Sequence, residues 1–285
     1  MMSNLNDLVS VIIPCYNDHE YIHEAINSIN NQTHKNVEII IVDDGSDIKT
    51  KNILKAITQE NLTILYQENL GTSAARNNGI NHAKGDYILT LDADDYFDPV
   101  FISKALNYIS IDKKIGIISC WIKIFNDKGI VEMSKIPGGD LETLILFNSA
   151  SGNYLFRKKC WFDAGGYDEK MKKGYEDWEF NISVAKAGWK TVIIEEYLFN
   201  YRKKNQSRNS QANKFHKYEL YKYIYIKHKD LWNTYHELMI ENLFSQMQAL
   251  ELGSHNLRKT IDYKLGKGIL TPYRFIKRVL LFYKK

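Results

Sequence analysis

The chain has 285 residues, 44% of them apolar and 25% charged, with a formal charge of +4; this folded-protein composition excludes disordered, collagen-like and disulfide-scaffold classes. Cys15, Cys120 and Cys160 are widely spaced with no Cys-x-x-Cys pair, which argues for a reducing compartment and against a zinc site. Residues 201–285 hold 18 Lys and Arg against 6 Asp and Glu, so a basic tail follows an acidic body, and that body argues against nucleic acid as a partner.

Met1 to Leu8 carries no basic region and no apolar stretch, and no apolar run approaches the ~18 residues of a membrane span. Neither a signal peptide nor a spanning helix is expected, and the location expected is cytoplasmic. Val9-Ser-Val-Ile-Ile-Pro14 is a β-branched run ended by proline and reads as a buried strand. Tyr21, Ile22, Ala25, Ile26 and Ile29 recur at helical spacing. Val37 to Val42 reads as a second strand, followed by a helix through Ile53, Leu54 and Ile57 and a strand over 62–66. Gly71 to Gly79 opens another helix, and Tyr87 to Leu91 is the next strand. Such alternation predicts an α/β fold with a mostly parallel sheet covered by helices on both faces. Beyond residue 100 the spacing predicts a strand over 115–124, a loop and helix over 138–148, a helix over 176–187 and a strand over 189–194. From about 211 the chain turns helical, with Tyr218, Tyr221, Ile224 and Tyr225 on one stripe, Leu238, Leu243 and Met247 in a second helix, and breaks at Gly253 and Gly266–Gly268.

Ligands of such sheets bind beyond the carboxyl ends of the strands, and there the polar clusters fall. Asp92-Ala93-Asp94-Asp95 follows a strand, and its carboxylates repel one another unless a cation or proton intervenes. Hard oxygen ligands of this kind favour Mg²⁺ or Mn²⁺, with room for phosphate oxygens; the plain alternative is a solvated acidic turn. Asp43-Asp44-Gly45-Ser46 is either a second piece of that site or a turn with Ser46 or Asp47 capping the next helix. Gly71 to Gly79 offers small residues and a helix N-terminus to a diphosphate, with Arg76 available to phosphate, nucleoside or a carboxylate. Neither GxGxxG nor GxxxxGK[ST] is present. Glu176 and Asp177 are either helix-start acids or a general base tuned by apolar neighbours. Gly152-Asn153, Gly165 to Asp168, Trp161 and Phe162 are either pocket-shaping loops or turn and core residues.

Taken in order, Val9-Ser-Val-Ile-Ile-Pro-Cys-Tyr-Asn17, Ile41-Val-Asp-Asp-Gly-Ser46, Gly71 to Gly79, Leu91-Asp-Ala-Asp-Asp95 and Tyr175-Glu-Asp-Trp178 resemble family 2 glycosyltransferases of the GT-A fold, across roughly residues 8–203. The resemblance implies a Rossmann-like GT-A domain over 1–210, with a nucleotide-binding half at about 1–98, an acceptor half at about 99–210, and a basic helical extension over 211–285. It implies that Pro14, Tyr16, Asn17 and Asp43 hold the base, that Arg76, Asp92 and Ala93 lie by the nucleotide, and that Asp94 binds Mn²⁺ or Mg²⁺ at the diphosphate. Asp177 would be the base, with Glu176 beside it, and Gly152, Asn153 and Trp178 would shape the acceptor or sugar pocket. The activity implied is inverting transfer of one sugar from a nucleotide-diphosphate donor, a UDP-sugar, to a glycan acceptor, lipid-linked or not, in surface-polysaccharide, capsule or lipopolysaccharide synthesis.

Two departures stand out. Tyr201-Arg202 is followed by Lys203-Lys204-Asn205-Gln206-Ser207, without the histidine many relatives offer the metal, which leaves a basic residue to touch the diphosphate. No Gln-x-x-Arg-Trp occurs, so a single transfer is expected rather than polymerisation. A DxD phosphatase of the haloacid-dehalogenase type would want Thr or Val where this chain has Tyr96; a sugar-nucleotide-binding or scaffold protein without turnover is the other alternative. Finally, Tyr273, Ile276, Leu280 and Tyr283 form a stripe flanked by Arg274, Lys277, Arg278, Lys284 and Lys285. That is the make-up of a helix lying on an anionic membrane, hence an expected peripheral site on the inner face of the plasma membrane.

Overall fold

The computed structural model describes residues 7–204, 208–261, 263–265 and 267. The chain divides into two compact units, Met1–His228 and Lys229–Lys285, so the first runs past residue 210.

The first unit alternates β1 (Val9–Cys15), α1 (Ile22–Asn30), β2 (Val37–Asp44), α2 (Ile48–Ala56), β3 (Leu62–Gln67), α3 (Thr72–His82) and β4 (Tyr87–Thr90). There follow β5 (Tyr96–Phe97), α4 (Phe101–Ile109), β6 (Ile115–Asn126), β7 (Gly129–Ser134), α5 (Leu141–Leu144), β8 (Leu155–Arg157) and α6 (Lys158–Ala164). Then come α7 (Glu176–Lys186), β9 (Lys190–Arg202) and α8 (Arg208–Gln211), which continues through a π-helical turn into α9 (Lys217–Lys227). The sheet order is β3-β2-β1-β4-β8-β6-β9-β5, with β7 on β6. β3, β2, β1 and β4 are all parallel, as are β6 and β9, whereas β8, β7 and β5 run antiparallel to their neighbours. This is the GT-A type of α/β fold.

The continuous apolar runs of β1 and β2 follow from burial on both faces. Val9, Val11, Ile13 and Cys15 pack with α1, α2 and α4, while Ile12 faces the other way with α3, α6 and α7. Each such side chain contributes roughly 1.5–3 kcal/mol on burial. Gly79 lets α3 lie close on the sheet, since a Cβ there would stand 2.6 Å from the Ile12 side chain. The three cysteine thiols are free and buried, and burial pushes each up to about 12.

Several elements differ from expectation. α4 buries Phe101, Ile102, Ala105, Leu106 and Ile109, a clean helical spacing that sequence reading passed over behind Asp98-Pro99. Gly165, at φ 81°, closes α6, so Gly165-Gly166 is a helix end rather than a pocket loop. The Trp161 indole and the Tyr167 N–H both donate to Asn77 of α3 at 2.9 Å, and Phe162 faces solvent. On α9 the buried positions are Leu220 and Ile224, while Tyr218 is 82% exposed.

In the second unit a short 3₁₀ turn leads into α10 (Trp232–Lys259), and the expected break at Gly253 does not occur. One glycine costs a helix about 1 kcal/mol relative to alanine, too little to interrupt a run this long. Gly266, Gly268 and the Tyr273–Lys285 stripe lie outside the described residues. Among those described, no helix is long and apolar enough to cross a membrane.

Candidate functional site

Strand order reverses between β1 and β4, and at their carboxyl ends opens a cavity of about 340 Å³. Pro14, Tyr16, Thr72, Asp92, Ala93 and Asp94 line it. Two turns build its wall. Asn17 sits in the left-handed region (φ 61°), its N–H donating to Ser46 Oγ at 3.0 Å and its side-chain oxygen accepting the Asp47 N–H at 2.8 Å. The Ser46 N–H donates to Asp43 Oδ1 at 3.0 Å, which leaves Asp43 Oδ2 buried without a hydrogen-bond partner. Asp44 faces the cavity and accepts the N–H groups of Leu70 (2.8 Å) and Gly71 (2.9 Å), so it closes the approach to α3. Asp47 caps α2 through the Thr50 N–H at 2.8 Å. The Asp43–Ser46 cluster is therefore both a helix-entry turn and a wall of the cavity.

Arg76, 1% exposed on α3, spans the two carboxylate motifs. Its guanidinium donates to Asp92 Oδ1 at 2.8 Å and Glu176 Oε1 at 3.1 Å and stands over the Tyr167 ring. Arg208 donates to the same Glu176 oxygen at 2.5 Å and to Thr72. Burial works against the Asp92 charge, but Arg76 and Arg208 outweigh it and hold its carboxyl below the usual range. The Asp92 N–H donates to the side-chain oxygen of Asn153 at 2.7 Å, which ties the motif after β4 to the segment before β8. Asp94 and Asp95 go the other way. Burial and the neighbouring carboxylates raise both, Asp95 strongly, and Asp95 is fixed by the Arg202 N–H at 2.7 Å.

A second cavity, about 230 Å³, shares Asp92, Tyr201 and Arg208 with the first and adds Gly152, Asn153 and Asp177. Gly152 packs tightly on the Asp177 side chain, since a Cβ there would lie 3.1 Å from that of Asp177. Asp177 accepts from the Asn148 side chain at 3.0 Å, and burial, then the Glu176 charge, raises its pKa to about 6. α7 begins on Tyr175 in the left-handed region (φ 61°), a conformation that tertiary contacts must hold. Glu176, by contrast, is pinned by two guanidiniums and serves as their counter-ion. Trp178 is turned away from the cavity: it is buried and its indole donates to the Leu144 carbonyl at 2.6 Å.

The expected residues thus gather at two adjoining cavities, with Asn17 and Asp43 behind the wall, Arg76 between the motifs, and Trp178 in the core. Sequence reading missed Asp18, Thr72, Asn148 and Arg208, and pointed to a basic residue after Arg202 without singling out Lys204. The lysine run after β9 was the one visible signal; Asn148 lies in a loop whose polar residues carry no pattern.

The resemblance implies a divalent cation. Among the described residues no group of three or more His, Cys, Asp or Glu side chains is disposed to hold a metal ion. Asp18 Oδ1 and Asp94 Oδ2 do converge on one point, each 2.8 Å from the Lys204 ammonium nitrogen. Two carboxylates are a fitting hard-oxygen set for Mg²⁺ or Mn²⁺ whose remaining positions are taken by phosphate oxygens and water. Burial opposes the Lys204 charge, but its bonds to Asp18 and Asp94 outweigh that and raise its pKa.

Comparison with known proteins gives the family. The model for Glycosyl transferase family 2 matches residues 10–194. An uncharacterized glycosyltransferase of Methanocaldococcus jannaschii is 32% identical over 235 residues, 77% of this chain and 78% of that protein. Glycosyltransferase GlyA of Streptococcus pneumoniae serotype 4 is 29% identical over 70% of this chain, which spans only 31% of that protein. The crystal structure of S. aureus TarS in complex with UDP-GlcNAc shares the fold, with a TM-score of 0.66 over 90% of this chain and 77% of that one at 22% identity. With the family match covering more than half of its length and its motifs at the two cavities, the chain belongs to glycosyl transferase family 2.

Proposed function

We propose that this glycosyltransferase inverts configuration and moves one sugar from a nucleotide-diphosphate donor, a UDP-sugar, to a hydroxyl of a glycan acceptor in surface-polysaccharide synthesis. The observation that carries the reading is Asp177, a carboxylate with its pKa raised to about 6 in a cavity that adjoins the diphosphate-sized one at Asp92 and Arg208. A base so poised is ionised at neutral pH and still basic enough to take a proton. The donor occupies the first cavity, its base against the Pro14–Asn17 turn that Asp43 backs through Ser46, its ribose by Asp92. That TarS has been crystallised with UDP and with UDP-GlcNAc supports a uridine donor here.

In the second cavity the acceptor hydroxyl gives its proton to an Asp177 carboxylate oxygen as its oxygen bonds to the anomeric carbon. The bond from that carbon to the diphosphate breaks on the opposite face. Asn148 orients Asp177, and Arg76 keeps Glu176 and Asp92 paired so that Asp177 is the carboxylate left to accept a proton. Arg208, shared by both cavities, faces the departing charge. A divalent cation, when bound, neutralises the diphosphate, and Asp94 with Asp18 is the pair placed to hold it.

We assign donor binding to the half up to about residue 98 and acceptor binding to the half up to about 210, and peripheral membrane contact to the basic tail. Thermal stabilisation by a panel of nucleotide sugars, with and without Mn²⁺, tests the donor; stabilisation by none of them would overturn the donor assignment. Co-sedimentation with anionic liposomes at low salt, lost on truncation after Leu270, tests the tail.

A further inference from the structure

The three carboxylates at 92–95 are each neutralised differently: Asp92 by Arg76, Asp95 by enclosure beside the Arg202 N–H, and Asp94 by Lys204. Lys204 follows β9, the sheet strand whose end also carries Tyr201 and Arg202. Its ammonium reaches Asp94 from one side and Asp18 from the other, at 2.8 Å each, and stands over the Tyr21 ring at 4.5 Å from its centroid. Asp18 lies just beyond β1 and Asp94 just beyond β4, so the lysine bridges the ends of the two strands that bound the crevice. Its side chain is 29% exposed and lines the larger cavity together with Thr72, Asp92 and Arg208. An ammonium has three donors; Asp18 and Asp94 account for two, and an oxyanion in the cavity can take the third.

We propose that Lys204 is a resident cation of the diphosphate subsite: it sits where two carboxylates converge, binds the donor's diphosphate without metal, and competes with a divalent cation for Asp18 and Asp94. The inference rests on the nucleotide-diphosphate reading above and adds a consequence to it. A chain carrying its own cation needs the divalent ion less, and binds that ion less tightly than the two carboxylates alone would.

The test uses the full chain and two probes, UDP and inorganic pyrophosphate, by calorimetry in EDTA and in Mn²⁺. Wild type should bind both probes in EDTA. Lys204→Ala should lose about tenfold or more in EDTA, the worth of a charge-assisted hydrogen bond, and recover in Mn²⁺. Lys204→Arg, which keeps the charge, should retain binding in EDTA and guards against a misfolded alanine variant. Mn²⁺ titrated alone, read by electron paramagnetic resonance, should bind Lys204→Ala about fivefold or more tightly than wild type, since two carboxylates are released. Equal affinities of wild type and Lys204→Ala in EDTA, or unchanged Mn²⁺ affinity, would overturn the proposal. Pyrophosphate binding in EDTA that depends on Lys204, with no UDP binding under any condition, would uphold the resident cation and refute the uridine donor.

Discussion

In the parallel half, β1, β2 and β4 deliver Pro14, Asp43 and Asp92 within a residue or two of a strand's carboxyl end, each on a short motif. In the mixed half, Asp177 stands at the start of a helix that opens on a left-handed tyrosine, and its neighbours Asn148 and Gly152 come from loops. The first cavity is thus set by strand ends in register, the second by long-range packing. Backbone register places a side chain whatever surrounds it, but a carboxylate becomes a base only when its surroundings exclude water. Arg76 joins the halves, reaching from α3 to a carboxylate of each.

The hardest blow to this division is Arg76→Leu. It leaves Asp92 and Glu176 without their shared cation, and removing one partner of a buried ion network costs about 3–5 kcal/mol. Denaturant unfolding should show that loss; a change below about 1 kcal/mol would mean that the halves do not depend on the bridge. Next is Asp177→Asn, expected to lower kcat about 10²-fold or more with nucleotide affinity unchanged. Near wild-type transfer would make Asp177 a helix-start residue and nothing else. In the unaltered protein, transfer should rise as pH increases through about 6, because the base must be ionised. The same residue has an opposite effect on stability. Its folded pKa, about 6, lies above the ordinary 3.8, so the native state holds the proton more tightly, and stability is lost as pH rises from about 4 to about 6 and is level above that. Asp177→Asn should therefore gain thermal stability over wild type as pH rises from about 4 to about 6, and a constant difference across that range would contradict the burial of that charge.

Asp94→Ala acts on the first cavity alone. The gain in UDP affinity on adding Mn²⁺ should vanish, about tenfold or more, with folding intact, and a retained gain would place the cation elsewhere. Gly152→Ala is a finer probe of the second cavity. A methyl 3.1 Å from the Asp177 Cβ should displace the base and cut kcat roughly tenfold with UDP binding unchanged. Smallest is Gly253→Ala in α10, expected to stabilise that helix by about 0.5–1 kcal/mol without touching transfer. It separates the second unit from both halves of the first, and an altered rate would show that they communicate.

The parallel half was legible because its chemistry is local. An apolar run read as a buried strand, and the acids after it fell at a strand end where ligands bind. Legibility failed where a residue's partner is distant in the chain. Trp178 looked like a pocket wall and is a core anchor, Gly165-Gly166 reads as either a pocket loop or a turn and ends a helix, and the Lys203–Lys204 run offered a basic residue without showing that Lys204 meets Asp18 and Asp94.

By itself the sequence determined the alternation of strands and helices as far as β4, the family, and which acids cluster, since apolar periodicity and motif spacing are properties of neighbours along the chain. Only the tertiary structure decided the charge state each acid adopts. Asp92 is held ionised by an arginine from α3, Asp94 meets a lysine more than a hundred residues away, and Asp177 is raised toward neutrality by burial beside Glu176. Desolvation and Coulomb energies depend on distance in space, and that distance is fixed only when the sheet closes.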